Sequence, residues 1–356
     1  MNAVLRVLAP GLLTTVQDLG RPGYQSLGVP VGGALDPLSL RAANALVGNA
    51  PHAGALEVAY MGPTLKVEDG EARLSFVGAD ASIEILPDET ATNGRRIAGM
   101  RSIRLQRGEV VRVGSLTHGA VLYIAVEGGF AIAPVLGSVS TYLRGAIGGW
   151  QGRALAVGDC LPLNCSEPSE HDDCELTGLN LAPPERYRAI VGPQSDHFSA
   201  AAVERFFDSE YLVSTGADRM GMRLKGPPLE HARGFNIISD GIAPGSVQVP
   251  GNEQPIVLLA DRQTVGGYPK IATVISADLP AVGRLPIGAK VRFAPVCIDE
   301  AEAARRHLVA EIEGLPGKVV PIRQSIGELT PRLFDCNLIG GVVDASAGAA
   351  ELAGLQ

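Results

Sequence analysis

Glycine and proline interrupt this chain about once every five residues, with 44 Gly and 25 Pro among 356 positions. Glycine costs entropy in a helix interior and proline breaks it, so long helices are excluded and the fold must be assembled from short segments joined by turns. Hydrophobic residues still make up 46% and charged residues 19%. That leaves enough apolar area for a core and rules out wholesale disorder. The length suggests about two domains. A formal net charge of −8 shows no basic footprint, so neither nucleic acid nor an anionic membrane is expected as a partner.

Most of the chain reads as β-branched runs stopped by Gly or Pro: LSFVGADASIEIL (74–86), SIRLQRGEVVRVG (102–114), AVLYIAVEGG (120–129), PIVLLA (255–260) and AKVRFAPV (289–296). Their spacing is that of a sandwich or barrel, so the fold class expected is mainly β with a few short helices. Asp36, Pro37 and Gly48 bracket a first helix as N-cap, first-turn proline and stop. A second helix is expected over about 197–207 after Ser195 and Asp196. A third follows Asp299 and ends at Gly314 and Pro316. The last ~40 residues are Ala/Gly-rich and are expected to dock on the body or stay mobile.

Two halves echo one another. TTVQDLGRPGY (14–24) and STGADRMGMRL (214–224) each place Asp, Gly and Arg in a polar turn after an apolar stretch, and GRALAVGDCLPL (152–163) resembles GRLPIGAKVRF (283–293). Two related barrel-like domains follow, with a boundary between Ser166 and Arg188. The division expected is 1–185, 186–298 and a helix plus extension over 299–356. Five cysteines, an odd number without a CxxC pair or zinc spacing, read as reduced thiols. The start, MNAVLRVLAPGLLTT, fails as a secretory signal, and no apolar run of about 18 residues occurs, so a cytoplasmic location is expected. Walker, GxGxxG, HExxH and GxSxG motifs and a Met-Lys-Met biotin acceptor are all missing. No metal site is expected.

Three segments carry chemistry. Residues 16–49 gather Asp18, Arg21, Tyr24 and neighbouring glycines before the helix capped by Asp36; Asp18 and Arg21 serve either an anion site or a turn-stabilising ion pair. Residues 246–279 bring Gln248, Asn252, Gln254, Asp261, Gln263 and Thr264 beside the turn Gly267-Tyr268 and Lys270. This mixture of amides, hydroxyl and carboxylate suits a small planar amide, although a plain polar hairpin face is the alternative. Residues 137–155 add Arg144, a bidentate anion clamp by chemistry, and Trp150, either a lid or a packing residue. In GPQSDHFS (192–199), Gln194, Asp196 and His197 stand at a helix start, where capping is the simpler role.

These blocks, together with TGADRMGMRLKGP and in this order over residues 5–295, resemble the carboxyltransferase-domain family. Its members include the C subunit of bacterial ATP-dependent 5-oxoprolinases, the second half of the urea carboxylase carboxyltransferase domain (also labelled allophanate hydrolase subunit 2) and the antagonist of the Kip kinase inhibitor. The resemblance implies two tandem cyclophilin-like β-barrels and a homologous partner, the B subunit. It further implies ATP as co-substrate, an A subunit that completes ring opening, and no biotin attached to this chain. On that reading the chain is part of an enzyme and works only with its partners. Asp18, Asp261 and Lys270 become the catalytic candidates. Arg21, Tyr24, Arg144, Gln248, Asn252, Gln254, Gln263, Thr264, Gly267 and Tyr268 become the substrate-binding ones. The alternatives are a biotin-dependent urea-type carboxyltransferase and a non-catalytic antagonist.

Overall fold

The computed structural model describes residues 2–322. The Ala/Gly-rich end and Cys336, on which the sequence raised expectations, lie outside them. Two β-structures follow one another. The first is an eleven-stranded sheet whose central order runs Arg101–Leu105, Ala72–Leu86, Val110–Val126, Thr64–Asp69, Val4–Ala9 and Cys160–Pro162, with Leu13–Gln17 and Ala55–Ala59 branching from Val110–Val126. The second closes into a seven-stranded barrel. Its closure is the parallel pairing of Tyr187–Val191 with Lys290–Pro295, which also pairs antiparallel with Glu210–Val213. The expected mainly β fold of two tandem barrels is what the chain adopts.

Alternation explains the strands. Val4–Ala9 buries Leu5 and Val7 and turns the residues between them outward, the period-2 pattern of a half-buried strand. Val110–Val126 runs 17 residues, where two strands separated by the glycines at 114 and 119 were expected. It stays continuous because Ala72–Leu86 pairs along both halves and absorbs the register shifts. Conversely, the run 102–114 breaks after Leu105, where the Gln106–Glu109 turn hands the chain to the next strand.

Helix α1 (Pro37–Leu46) forms for the reasons visible in sequence. The Asp36 carboxylate accepts from the amides of Leu38 and Ser39, Pro37 opens the first turn, and Gly48 follows the end at φ +67°. Leu40 and Leu46 are buried against Val77, Val121 and Tyr123 of the first sheet. Each such side chain contributes about 1.5–3 kcal/mol by burial, and Leu40→Ala would cost about 2–5 kcal/mol through the cavity it leaves. Helix α2 (Ala200–Asp208) starts later than expected because Ser199, whose side chain accepts from the Ala202 amide, is the cap. Ser195–His197 instead makes a separate 3-10 turn. Helix α3 (Leu279–Gly283) is one short turn, and α4 (Ile298–Glu313) ends at Gly314 as expected. Leu308 and Leu315 join the same apolar cluster as α1, so this third cluster packs the α1 layer on the first sheet. Among the described residues no helix is long and apolar enough to cross a membrane, and Cys160, Cys165, Cys174 and Cys297 are free thiols.

Candidate active site at the seam of the two barrels

The strand Leu13–Gln17 ends by delivering Asp18 into a loop that doubles back on itself. The doubling needs glycine: a Cβ on Gly33 (φ +86°) would stand 2.7 Å from the Gly20 nitrogen, so the two limbs can touch only backbone to backbone. The Asp18 carboxylate accepts from Ser138 Oγ (2.6 Å), Ser140 Oγ (2.5 Å), the Val139 amide (2.7 Å) and the Gly20 amide (2.7 Å). Its acceptor sites are consumed by the loops it joins. Asp18 therefore organises the site, and the expected catalytic role does not fit it.

Arg21 is 1% exposed. Its Nη2 donates to the Ser140 carbonyl, while Nε and Nη1 have no hydrogen-bond partner among the described residues. Burial pushes its pKa down, against the pull of Asp18 and Asp261. A Cβ on Gly32 would lie 3.5 Å from both Arg21 Nη1 and Asp261 Oδ1. The two distant segments flagged in sequence thus meet across Gly32.

Asp261 belongs to the second barrel's polar hairpin and is itself buried. It accepts from Arg219 Nε at 2.9 Å and Nη2 at 3.1 Å. Arg219 also donates to the Glu57 carboxylate and to the Gly33 carbonyl (2.5 Å). Glu57 accepts in turn from Tyr123 Oη (2.5 Å) and the Leu35 amide (2.8 Å). Although burial works against it, the charges of Glu57 and Asp261 raise the Arg219 pKa. Burial, then the charges of Glu57 and Asp36, raise that of Tyr123. Beside this row Arg284 donates to Asp36 at 2.6 Å. Asp36 is thus both helix cap and ion-pair partner across the barrels. The sequence reading missed Glu57, Tyr123, Arg219 and Arg284 as members of the seam.

Two clefts open at the seam, and Asp261 lines one of them. One of about 350 Å³ lies between the barrels and is lined by Asp261, Arg219, Arg144, Tyr60, Leu12 and Leu285, among others. The other, about 400 Å³, is lined by Arg144, Arg223, Gln248, Asn252, Gln263 and Tyr268. They share Arg144, Asp218 and Met220. Gln263 Nε2 donates to Gln248 Oε1 (3.2 Å), so the amides are ordered relative to one another. Arg144 is exposed and only loosely paired with Asp218 at 3.3 Å.

The remaining predicted residues fall elsewhere. Lys270 is buried with its Nζ on Asp240 Oδ2 (2.7 Å) and the Gly241 carbonyl (3.2 Å), and the bond from Lys270 holds the Asp240 carboxyl below its ordinary range. Its ammonium is committed to that strand pair and does not line either cleft. Gln254 donates to and accepts from the Gly226 backbone (3.2 and 2.9 Å), closing a turn. Tyr24 stands at the start of a 3-10 turn, and Thr264 and Gly267 border the hairpin; none of the three lines the two clefts. Gln194 bonds Asp240 and the Lys270 amide, Asp196 pairs with Arg233, and Trp150 packs on the first core.

A seam of this kind between two β-barrels has relatives among known proteins. The family model for the carboxyltransferase domain, subdomains A and B, matches residues 27–295, and the chain belongs to that family. It is 38% identical to the 5-oxoprolinase C subunit of Escherichia coli over 85% of this chain and 94% of that protein. It is 29% identical to the Saccharomyces cerevisiae urea amidolyase over 88% of this chain but only 18% of that protein. Among solved structures, the K. lactis urea amidolyase superposes with a TM-score of 0.79 at 29% identity, covering 91% of this chain and 21% of that one. The chain therefore spans about a fifth of that larger relative and nearly the whole of the E. coli protein.

Proposed function

We propose that this chain is the C subunit of an ATP-dependent 5-oxoprolinase. It works in the cytoplasm with a homologous B subunit to activate 5-oxoproline, and the A subunit then completes ring opening to glutamate. The observation that carries the reading is the near end-to-end likeness to the E. coli C subunit. The clefts supply chemistry that suits it. A lactam presents one donor and one acceptor in a plane, and the ordered amides of Gln248 and Gln263 with Asn252 offer the complementary pair. Asp261, backed by Arg219, fixes negative charge in the neighbouring cleft, which meets this one at Arg144, Asp218 and Met220.

ATP would supply the γ-phosphoryl group that the lactam oxygen attacks. The residues present fit an anion of that kind: Arg144 and Arg223 line the cleft and both are solvent-exposed. Lys270, expected as a catalytic residue, has its charge already neutralised by Asp240 and takes no part in that anion site. Arg21 stands beside Asp261 with two unused donors but lines neither cleft, and in this reading they meet a group brought by the B subunit when the complex assembles.

The test is reconstitution. Purified chain with its B and A partners should form glutamate from 5-oxoproline only in the presence of ATP and all three proteins. Turnover that persists without this chain would overturn the reading, as would carboxylation of urea by the chain with a biotinylated donor in place of glutamate formation.

A further inference from the structure

A third cavity, of about 240 Å³, lies under α1, α3 and α4, against the segment from Leu258 to Arg262. Its walls are largely apolar, with Leu38, Leu279 and Leu308 among them. Three arginines also line it: Arg41 from α1, Arg262 from the second barrel and Arg305 from α4. No carboxylate lines the cavity, and among the described residues none of the three arginines forms an ion pair. Arg262 is 8% exposed and has only carbonyl partners, Ile242 and Leu259. Burial, then the charge of Arg305, push the Arg41 pKa down, and burial alone does so for Arg262.

Arg41 and Arg305 repel one another, Arg41 and Arg262 lose hydration, and no carboxylate lines the cavity, so an anion that the described residues do not supply would stabilise the arrangement. We propose that the cavity binds a small amphiphilic oxyanion, a carboxylate or phosphate on a short apolar body, with its head among Arg41, Arg262 and Arg305 and its body against Leu38, Leu279 and Leu308. Guanidinium groups match either oxyanion through paired hydrogen bonds. The volume falls below the roughly 300–1,000 Å³ of pockets that take drug-sized ligands, so a nucleotide does not fit. Arg305 and Leu308 lie beyond residue 295, where the match to the carboxyltransferase-domain family ends. The cavity shares Leu35 and Leu259 with one cleft assigned to the reaction and Leu258 with the other, but none of its three arginines lines either.

Binding is read by calorimetry on the full chain with hexyl phosphate, hexanoate and hexanol as probes. At least one of the two anions should bind, hexanol should not, and R305Q and R41Q should each weaken the anion about tenfold. Arg305 is exposed, so R305Q keeps the test open even where a substitution at Arg262 impairs folding. The proposal is overturned if neither anion binds, if hexanol binds as well as they do, or if R305Q and R41Q bind the anions unchanged. Preference between hexanoate and hexyl phosphate identifies the head group.

Discussion

Arg219 and Arg21 are both buried arginines standing beside Asp261, yet they differ in what is done with their protons. Arg219 spends all three nitrogens on Asp261, Glu57 and the Gly33 carbonyl. Arg21 spends one, on the Ser140 carbonyl, and leaves Nε and Nη1 unmatched. Buried polar groups in native proteins are matched almost without exception, so a satisfied arginine is architecture and an unsatisfied one marks a place where something else arrives. Arg219 ties the first sheet, through Glu57, to the second barrel, through Asp261. Arg21 is held in place by its bond to the Ser140 carbonyl, at a desolvation cost that the charges of Asp18 and Asp261 offset only in part.

The contrast between the two is broken most severely by removing the satisfied member. Arg219→Ala strands two buried carboxylates, and it should destabilise the chain by about 3–5 kcal/mol or prevent folding, measured by urea denaturation. Gly148→Ala attacks the other side. Gly148 sits at φ +68°, and a methyl there would overlap the Ser140 carbonyl and approach Arg21 Nη2 to 2.6 Å. A cost of about 1–3 kcal/mol is expected, with a fall in reconstituted turnover, because the one bond that aims Arg21 is displaced. Among the amides, Gln254→Ala should cost about 1 kcal/mol of stability by opening the Gly226 turn and leave turnover within twofold. Gln263→Ala should do the reverse, lowering turnover about tenfold at nearly unchanged stability. If both glutamines behave alike, the division between turn and cleft is wrong.

The smallest effect concerns a satisfied pair away from the seam. Arg153 grips Asp159 with two bonds of 2.7 Å. That grip, with the Ala156 amide and against partial burial, lowers the Asp159 pKa to about 2. A depressed folded value means the stabilisation is fully present above the ordinary aspartate range, near pH 4, and is lost as the pH falls from about 4 toward 2. The stability difference between the native chain and Asp159→Asn, followed by urea midpoint, should shrink across that window. A difference that stays constant down to pH 2 would show that Asp159 is not held by charge.

Much of this was legible in the sequence because it is local. Asp36 and Pro37 start α1, Gly314 ends α4, and alternation places Leu5 and Val7 inward. The segments bearing Arg21 and Asp261 were each marked as polar and glycine-hinged, though nothing local placed them together. Glu57, Tyr123 and Arg219 were not found because their pairing spans 66 and 162 positions, and nothing local distinguishes a paired charge from a solvated one. Two signals were present. Glu57 is a lone charge in the apolar strand ALEVA, and the internal echo aligned the turn bearing Arg219 with the turn bearing Arg21. Lys270 and Gln254 were overvalued for the converse reason. Polar residues beside glycines looked like a site, but Asp240 and the Gly226 backbone claim them.

The claim beneath this account is that Arg21 is kept unsatisfied for use. Arg21→Gln measures it by pairing two readouts on one variant: the urea midpoint of the chain alone, and kcat/KM for 5-oxoproline in the reconstituted three-protein system with ATP. The account expects a midpoint unchanged or raised and kcat/KM lowered about a hundredfold, the mark of a residue costly to folding and needed for turnover. A loss of stability with kcat/KM within twofold of the native chain would contradict it and return Arg21 to the same structural role as Arg219.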